Sequence, residues 1–311
     1  MDFQDERTSA PSPPSEVEFV VVGAGLAGLA AALTLHRAGR EVLILERDES
    51  VGGRVRTDLE DGYVLDRGFQ VLLTAYPEVA RHIDLDALDL RPFVRGVNVW
   101  DNGSFTELSD PRRSLTALVG GLRTQVLTTR DRVRFLKLAV RLLASKHGFL
   151  GREDDCSTGE FLETLRFSDR SIEKLWEPLL SGIQLTPSLE GSARLACLIL
   201  RCLLVGPAAV PARGMQEIPN QMAAGLPRGS VHVGVEVEKI NGSEVFLSTG
   251  EVTAARRVIV ATEQPAAARL LKGESFEGRA QWHAYFSATE APSKSEAIHL
   301  LPSAQGPCRN I

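Results

Sequence analysis

Phe19-Val20-Val21-Val22-Gly23-Ala24-Gly25-Leu26-Ala27-Gly28 is the stretch that decides the fold. Its first four residues are a short unbroken apolar run rich in β-branched side chains, the composition of a strand buried on both faces. Glycines 23, 25 and 28 follow at once in GxGxxG spacing, and a helix-period segment runs from Leu26 to Ala38. Gly39 then stands where a helix C-cap is wanted. A second buried strand, Val42-Leu43-Ile44-Leu45, closes on Glu46 and completes a βαβ unit within about 30 residues. In such a unit Gly23 permits the tight turn, Gly25 lets the backbone approach a pyrophosphate, and Gly28 lets helix and strand pack closely. The phosphates sit where unpaired N–H groups and the positive end of the helix dipole converge. Glu46, 18 residues after Gly28, can bind both ribose hydroxyls. Ala24 and Ala27 inside the loop, and Arg47 beside Glu46, complete the contacts expected of this unit. A glycine-rich turn between packed elements would explain the glycines, but would leave Glu46 at the end of an apolar strand without a partner.

Farther along, Val231 to Ile240 alternates as a strand does, Asn241-Gly242 is a hairpin signal, and Val245-Phe246-Leu247 leads back. Val258 to Ala261 reads as another short buried strand. Between these β-rich ends, from about Thr74 to Ala212, the period is helical. Segments such as Asp131 to His147 and Ser192 to Val205 carry it. Asp110-Pro111, Gly120-Gly121 and Gly182 to Pro187 punctuate it as turns. A nucleotide-binding domain (18–73 and 214–275) is therefore expected to be interrupted by a largely helical α+β second domain (74–213 and 276–311). Residues 1–17, acidic and rich in Pro and Ser, read as a disordered lead-in without the apolar run of a secretory signal.

Across 311 residues, 35 Lys and Arg stand against 40 Asp and Glu, a formal net charge of -5. That balance supplies no field for a polyphosphate, so nucleic acid is excluded as the expected partner. Cys156, Cys197, Cys202 and Cys308 fit neither a zinc site nor a disulfide framework and read as buried or bystander thiols in a reducing compartment. No metal site is expected. The longest apolar stretch, Leu195 to Pro211, carries Arg201 and is broken by Gly206-Pro207, so it reads as a buried helix and not a membrane span. The segment Arg130, Arg132, Arg134, Lys137, Arg141, Lys146 is interleaved with Val133, Leu136, Val140 and Leu143. Two readings stay open there: a helix lying on an anionic membrane, or the solvated face of an ordinary helix. No targeting address is evident, which points to the cytoplasm, with membrane association tied to residues 130–147.

Gly52-Gly53-Arg54-Val55-Arg56-Thr57 follows the acidic strand end. Its glycines expose backbone N–H groups, and Arg54 offers a planar fork to a phosphate. Joined to GxGxxG and Glu46, this GGRxRT resembles the FAD-dependent amine oxidase and phytoene desaturase superfamily, which also holds protoporphyrinogen oxidases. The likeness runs from about Glu18 to Ile311. Asp61 to Gln70 is similar to the family segment that passes the flavin ring, which brings Gly68, Phe69 and Gln70 into the expected site. Trp176 to Ile183 and Val210 to Met215 are similar to the substrate-domain pattern of phytoene desaturase-like members. Arg213 takes the place of a family glycine and puts that turn's conformation in question. Val235-Glu236-Val237 resembles the strand that meets the adenine, and Ala261-Thr262 the return strand ending beside the cofactor.

The resemblance implies an α/β protein with a Rossmann-type FAD/NAD(P)-binding domain and an inserted substrate domain. It implies FAD, not NAD, and oxidation of a hydrophobic or amine substrate by hydride transfer to flavin. No catalytic base can be named: none of the six histidines has partners at ligand or catalytic spacing, and Gln70 is a candidate contact to ring or substrate. The chain ends before the family's last FAD motif. A catalytically silent nucleotide-binding remnant is therefore the alternative to an active oxidoreductase.

Overall fold

The computed structural model describes residues 12–68, 70–101, 103–109, 126–145, 155–276, 278–280, 282–290, 293, 295 and 297–302. From the N-terminus, β1 (Glu16–Val22), α1 (Leu26–Arg37) and β2 (Val42–Leu45) form the βαβ unit, followed by the hairpin β3 (Thr57–Glu60) and β4 (Tyr63–Asp66). The middle of the chain holds β5 (Leu72–Leu73), β6 (Leu90–Pro92), β7 (Gly96–Asp101) and β8 (Ser104–Ser109). Helices α2 (Thr129–Ala144), α3 (Thr158–Thr164), α4 (Glu177–Gln184) and α5 (Ala193–Val205) come next, then β9 (Ala208–Pro211). The chain returns through α6 (Glu217–Ala224), β10 (Val231–His232), β11 (Val237–Asn241), β12 (Glu244–Leu247), β13 (Val252–Val260) and α7 (Gln264–Leu271), and β14 (Ile298–Leu300) follows.

Two compact units result. The first comprises 1–70, 80–89 and 211–279, the second 71–79, 90–210 and 280–311. The first unit is built on a six-stranded sheet of order β10-β2-β1-β13-β12-β11, in which β10, β2, β1 and β13 run parallel. Val20 and Val21 are fully buried at its centre, and burying each such side chain contributes about 1.5–3 kcal/mol. Val20, Val22, Leu43 and Leu45 share one core cluster with Val237, Val245 and Leu247, so the antiparallel strands and the parallel ones bury side chains in a common core. Helix α1 buries Gly28, Leu29, Ala32 and Leu33. The small residues at 28 and 32, one turn apart, hold it close to the sheet.

The second unit packs its helices around Leu138, Leu142, Leu162, Trp176, Leu180 and Leu200, and the sheet of order β14-β7-β8 adds Leu300 and Val99. Trp176 stacks edge-on against Phe167 at 5.0 Å. Helix starts are specified locally. Thr128 and Asp131 cap α2 reciprocally, Ser157 and Glu160 do the same for α3, and Ser192 Oγ accepts the Leu195 N–H of α5 at 3.2 Å. Asp131 reaches further: fully buried, it accepts from Thr128 and also from the Ser168 N–H (2.9 Å) and Oγ–H (2.6 Å), joining two segments through one carboxylate. Burial pushes its acidity toward neutrality, yet the hydrogen bonds from Ser168 and Thr128 outweigh it and leave the pKa below the ordinary value.

Several boundaries differ from expectation. Strand β1 begins at Glu16, inside the expected lead-in, because the N–H of Ala254 finds the Ser15 carbonyl at 2.8 Å; residues 1–11 lie outside the described residues. Residues 80–89, expected in the inserted domain, belong to the first unit. The Arg37 guanidinium donates to the Arg81 carbonyl (2.6 Å), and Gln221 exchanges hydrogen bonds with Asp84. Residues 71–73 belong to the second unit, where β5 pairs with β9. The alternating run 231–240 is two strands, not one: Gly234 turns with φ +71 and separates β10 from β11. Within the turn expected over Gly182 to Pro187, Gly182 still belongs to α4 and the chain turns at Leu185, which takes φ +52. Gly120-Gly121, Lys146 and His147 are outside the described residues.

Candidate functional site

The glycine loop gives its three glycines three different reasons to be glycine. Gly23 has φ +99, and a Cβ there would lie 3.2 Å from both the Ala261 carbonyl oxygen and Thr262 Cγ2. The return strand β13 thus ends directly against the turn. At Gly28 a Cβ would fall 1.9 Å from the Gly23 carbonyl oxygen, so the close approach of α1 to its own loop requires hydrogen there. At Gly25, with φ −68, a Cβ would meet nothing within 4 Å. Gly25 is also the N-cap of α1, no side chain caps that helix, and its first turn holds no acid. The loop therefore presents uncapped N–H groups and open space at the positive end of a helix.

The segment after β2 is clasped to this loop. Gly52 bridges to Gly25 in parallel fashion, and its N–H donates to the Ala24 carbonyl at 2.9 Å. Gly52 has φ +118, and a Cβ on Gly53 would lie 3.4 Å from Gly25 Cα. Glu46 is buried and faces the loop: Oε2 accepts the Ala24 N–H at 2.6 Å, and Oε1 accepts the Asp48 N–H at 2.9 Å. Each oxygen keeps a further lone pair for a hydroxyl donor. The Val235 N–H donates to the Glu46 carbonyl (2.8 Å) and the Gly234 N–H to that of Asp48 (2.9 Å). Val235 is thus beside the acidic strand end, while Val237 is buried in β11 opposite Leu247. Arg54 is exposed and its side chain makes no hydrogen bond or ion pair among the described residues. Arg47 is exposed and pairs with Asp48 at 3.4 Å.

A second network buttresses the clasp. Asp66 Oδ1 accepts from Thr57 Oγ1 (2.5 Å) and the Met215 N–H (2.8 Å), and Thr57 Oγ1 accepts the Gln216 N–H (3.0 Å). The Gln216 amide donates to the Val51 carbonyl at 2.8 Å. Gly214 takes φ +91 with its α-carbon turned onto Thr57. Arg213, at the family's glycine position, is exposed and pairs with Glu217, so the turn needs only Gly214 in the left-handed region. Gln70 donates its amide to the carbonyls of Arg54 (2.8 Å) and Arg67 (3.0 Å), and Gly68, φ +121, is buried. Phe69 lies outside the described residues. Gly52 and Thr57 stand in the GGRxRT run, Asp66 in the Asp61–Gln70 segment and Val235 in the strand expected at the adenine, whereas no local signal marks Gln216 as part of the site.

A cavity of about 470 Å³ in the first unit is lined by Arg47, Asp48, Glu49, Ser50, Arg56, Thr57, Asp58, Arg67 and Gln216. Its charges are largely matched: Arg56 pairs with Asp48 at 3.3 Å, and Arg67 holds Asp58 at 2.7 and 2.8 Å. The Arg67 hydrogen bonds keep the Asp58 carboxyl below its usual range. Of the expected site residues only Arg47 lines this cavity. Among the described residues no group of His, Cys, Asp and Glu is placed to hold a metal ion. His299 sits buried against Asn98 at 3.1 Å, and His232 against the Gly229 carbonyl at 3.1 Å. Cys156 is exposed and Cys197 and Cys202 are buried; Cys308 lies outside the described residues.

A parallel sheet, a glycine turn at a helix start and a buried carboxylate across from it define a dinucleotide-binding protein. Residues 26–305 match the family described as flavin containing amine oxidoreductase, and the chain belongs to that family. A Mycobacterium tuberculosis protein named as a flavin-containing monoamine oxidase is 34% identical over 169 residues, 51% of this chain and 35% of the relative. An L-amino-acid oxidase of Sistrurus catenatus edwardsii is 40% identical over 101 residues, 32% of this chain and 19% of the relative. Among solved structures, a protein from Exiguobacterium sp. 255-15 described as a protoporphyrinogen oxidase superposes with TM-score 0.55 at 24% identity, covering 84% of this chain and 62% of that one. An oxidoreductase from Methanosarcina mazei gives 0.58 at 22%, covering 81% and 60%. These two show the fold. The aligned region thus spans about a third or less of the curated relatives. FAD is the cofactor of this family, and the residues present fit it: the empty space at Gly25, the uncapped start of α1 and the inward-facing Glu46 are the features a diphosphate-linked nucleotide needs.

Proposed function

We propose that the chain works as an FAD-dependent oxidoreductase on a small amine or a hydrophobic substrate. The observation that carries this reading is the open space over Gly25 at the uncapped start of α1, faced by the Glu46 carboxylate. In this reading the N–H groups around Gly25, Ala27 and Gly28 hold the diphosphate, Glu46 takes the ribose hydroxyls, and Arg54 adds a free guanidinium beside them. Bound FAD supplies a two-electron acceptor, the hard chemistry that no side chain offers. The protein's part is to grip the nucleotide rigidly. Gly52 and Gly53 clasp the loop from one side, and Ala261 and Thr262 close it from the other. Amine substrates enter this reading because relatives are named as monoamine and L-amino-acid oxidases, and a hydrophobic one because others are named as protoporphyrinogen oxidases.

The test is spectroscopic. The purified chain, alone and after incubation with FAD, is expected to show flavin absorbance that survives desalting. Anaerobic addition of putrescine or benzylamine is expected to bleach it. A colourless chain that fails to take up FAD refutes the reading and favours a silent remnant. A coloured chain that no amine or apolar substrate bleaches refutes the substrate assignment alone.

A further inference from the structure

Helix α2 is apolar on two faces. One is buried: Leu138 and Leu142 pack into the core of the second unit, with Ala139 and Asp131 buried on the same side. The other carries Val133, Leu136, Val140 and Leu143, which remain 48%, 64%, 59% and 47% exposed. Their spacing of i, i+3, i+7 and i+10 lines them up in one stripe. At about 100° per residue that stripe is centred roughly 140° from the buried row. A helix that only closes a core has one apolar stripe, and the solvent side of this one carries a second.

The charges beside the stripe all have one sign. Arg130, Lys137 and Arg141 flank one side and Arg132 the other, while Arg134 pairs at 3.5 Å with the helix's single acid, Asp131, which is buried and also accepts from Thr128 and Ser168. Arg130 and Lys137 make no ion pair among the described residues. This concentration of positive charge sits in a chain of net charge -5. We propose that α2 lies on an anionic bilayer surface, with the Val133–Leu143 stripe in the acyl boundary and the flanking cations at the headgroups. Charge complementarity selects the anionic partner. An exposed aliphatic stripe flanked by cations suits a deformable plane, because long Lys and Arg stems reach back to headgroups while aliphatic side chains enter below them. No helix among the described residues is long and apolar enough to cross a membrane, so the contact proposed is a peripheral one.

Flotation of the full chain tests this, with phosphatidylcholine vesicles and with vesicles in which a third of the lipid is phosphatidylglycerol. Binding is expected only to the anionic vesicles at low salt, and is expected to weaken in molar salt. Leu136→Asp with Val140→Asp should lower partitioning at least about tenfold, while the circular dichroism spectrum and Tm stay unchanged because both positions are exposed. Arg130→Gln and Lys137→Gln should each lower it about fivefold. The proposal is overturned if the parent fails to float at low salt, or if it floats undiminished with the Asp pair. It is equally overturned if sedimentation shows a dimer that the Asp pair dissolves while neither form binds vesicles, which would make the stripe a contact between copies.

Discussion

Replacing Gly28 by Ala and, separately, Gly25 by Ala should split folding from cofactor retention within one motif. At Gly28 the added methyl would sit 1.9 Å from the Gly23 carbonyl oxygen, 3.1 Å from its carbon and 3.3 Å from Val21 Cγ1. The obstacle is backbone, so no side chain can swing aside, and α1 must move off the sheet. Overpacking costs about 1–3 kcal/mol, and a rigid obstacle puts this case near 3 kcal/mol. At about 2–4 °C per kcal/mol for a domain of this size, Tm should fall by roughly 6–12 °C. At Gly25 the methyl meets nothing within 4 Å, and φ −68, ψ 174 suits Ala. The lower entropy of the unfolded chain, about 0.4–1 kcal/mol, works against a poorer N-cap of similar size. Tm should therefore stay within about 3 °C. The methyl would nonetheless occupy the space over the helix start, and FAD affinity should fall at least about tenfold. Differential scanning calorimetry of the unliganded proteins and equilibrium titration with FAD read the two effects separately. Unchanged Tm in Gly28→Ala, or unchanged FAD affinity in Gly25→Ala, would refute the reasoning.

Asp131→Asn should cost about 3 kcal/mol, because the carboxylate serves Thr128 and Ser168 from a fully buried position. Its pKa is lowered by folding, so its stabilisation is present above the unfolded value of about 3.9 and is lost as pH falls through the folded value. Urea midpoints against pH should fall less steeply below pH ~4 in the variant than in the parent. Gly214→Ala should cost about 2 kcal/mol or more, since its Cβ would lie 2.8 Å from Thr57 Cβ at φ +91. Arg213→Gly, on an exposed side chain, should change thermal stability by less than about 1 kcal/mol. Burial pushes the Cys197 thiol up to about 11 and also raises Cys202. Burial and the nearby Glu160 and Asp155 raise Cys156 as well, so exposure decides: iodoacetamide near pH ~8 should label the exposed Cys156 in the native protein and reach the buried Cys197 and Cys202 only in urea, as peptide mass spectrometry would show.

The nucleotide loop was legible because its parts are contiguous. Strand, turn, helix and acidic strand end lie between residues 16 and 46, and spacing alone conveys their geometry. What spacing could not convey is the choice of distant partners. Val231 to Ile240 has the pattern of one strand. Yet Val231 pairs with β2, and Gly234 and Val235 are held by the carbonyls of Asp48 and Glu46, so the run divides at the glycine. Residues 80–89 join the first unit through Arg37 and Gln221, contacts 44 and 137 positions apart in the chain. The GGRxRT run showed where backbone would be exposed. That Gly52 bridges to Gly25, and that Gln216 reaches back to Val51, depends on the turn after Gly214, which Arg213 obscured.

Strand β13 lies beside β1, with Glu16 opposite Ala254 and Val22 opposite Val260. The ribosome therefore releases the first strand long before its neighbour exists. At about 5–20 residues per second, β1 waits roughly ten to fifty seconds for β13. Through that interval the edge of a valine-rich strand is open to any other extended chain. Synthesis at high concentration should thus make aggregation of nascent chains, not instability of the finished protein, the factor that limits yield.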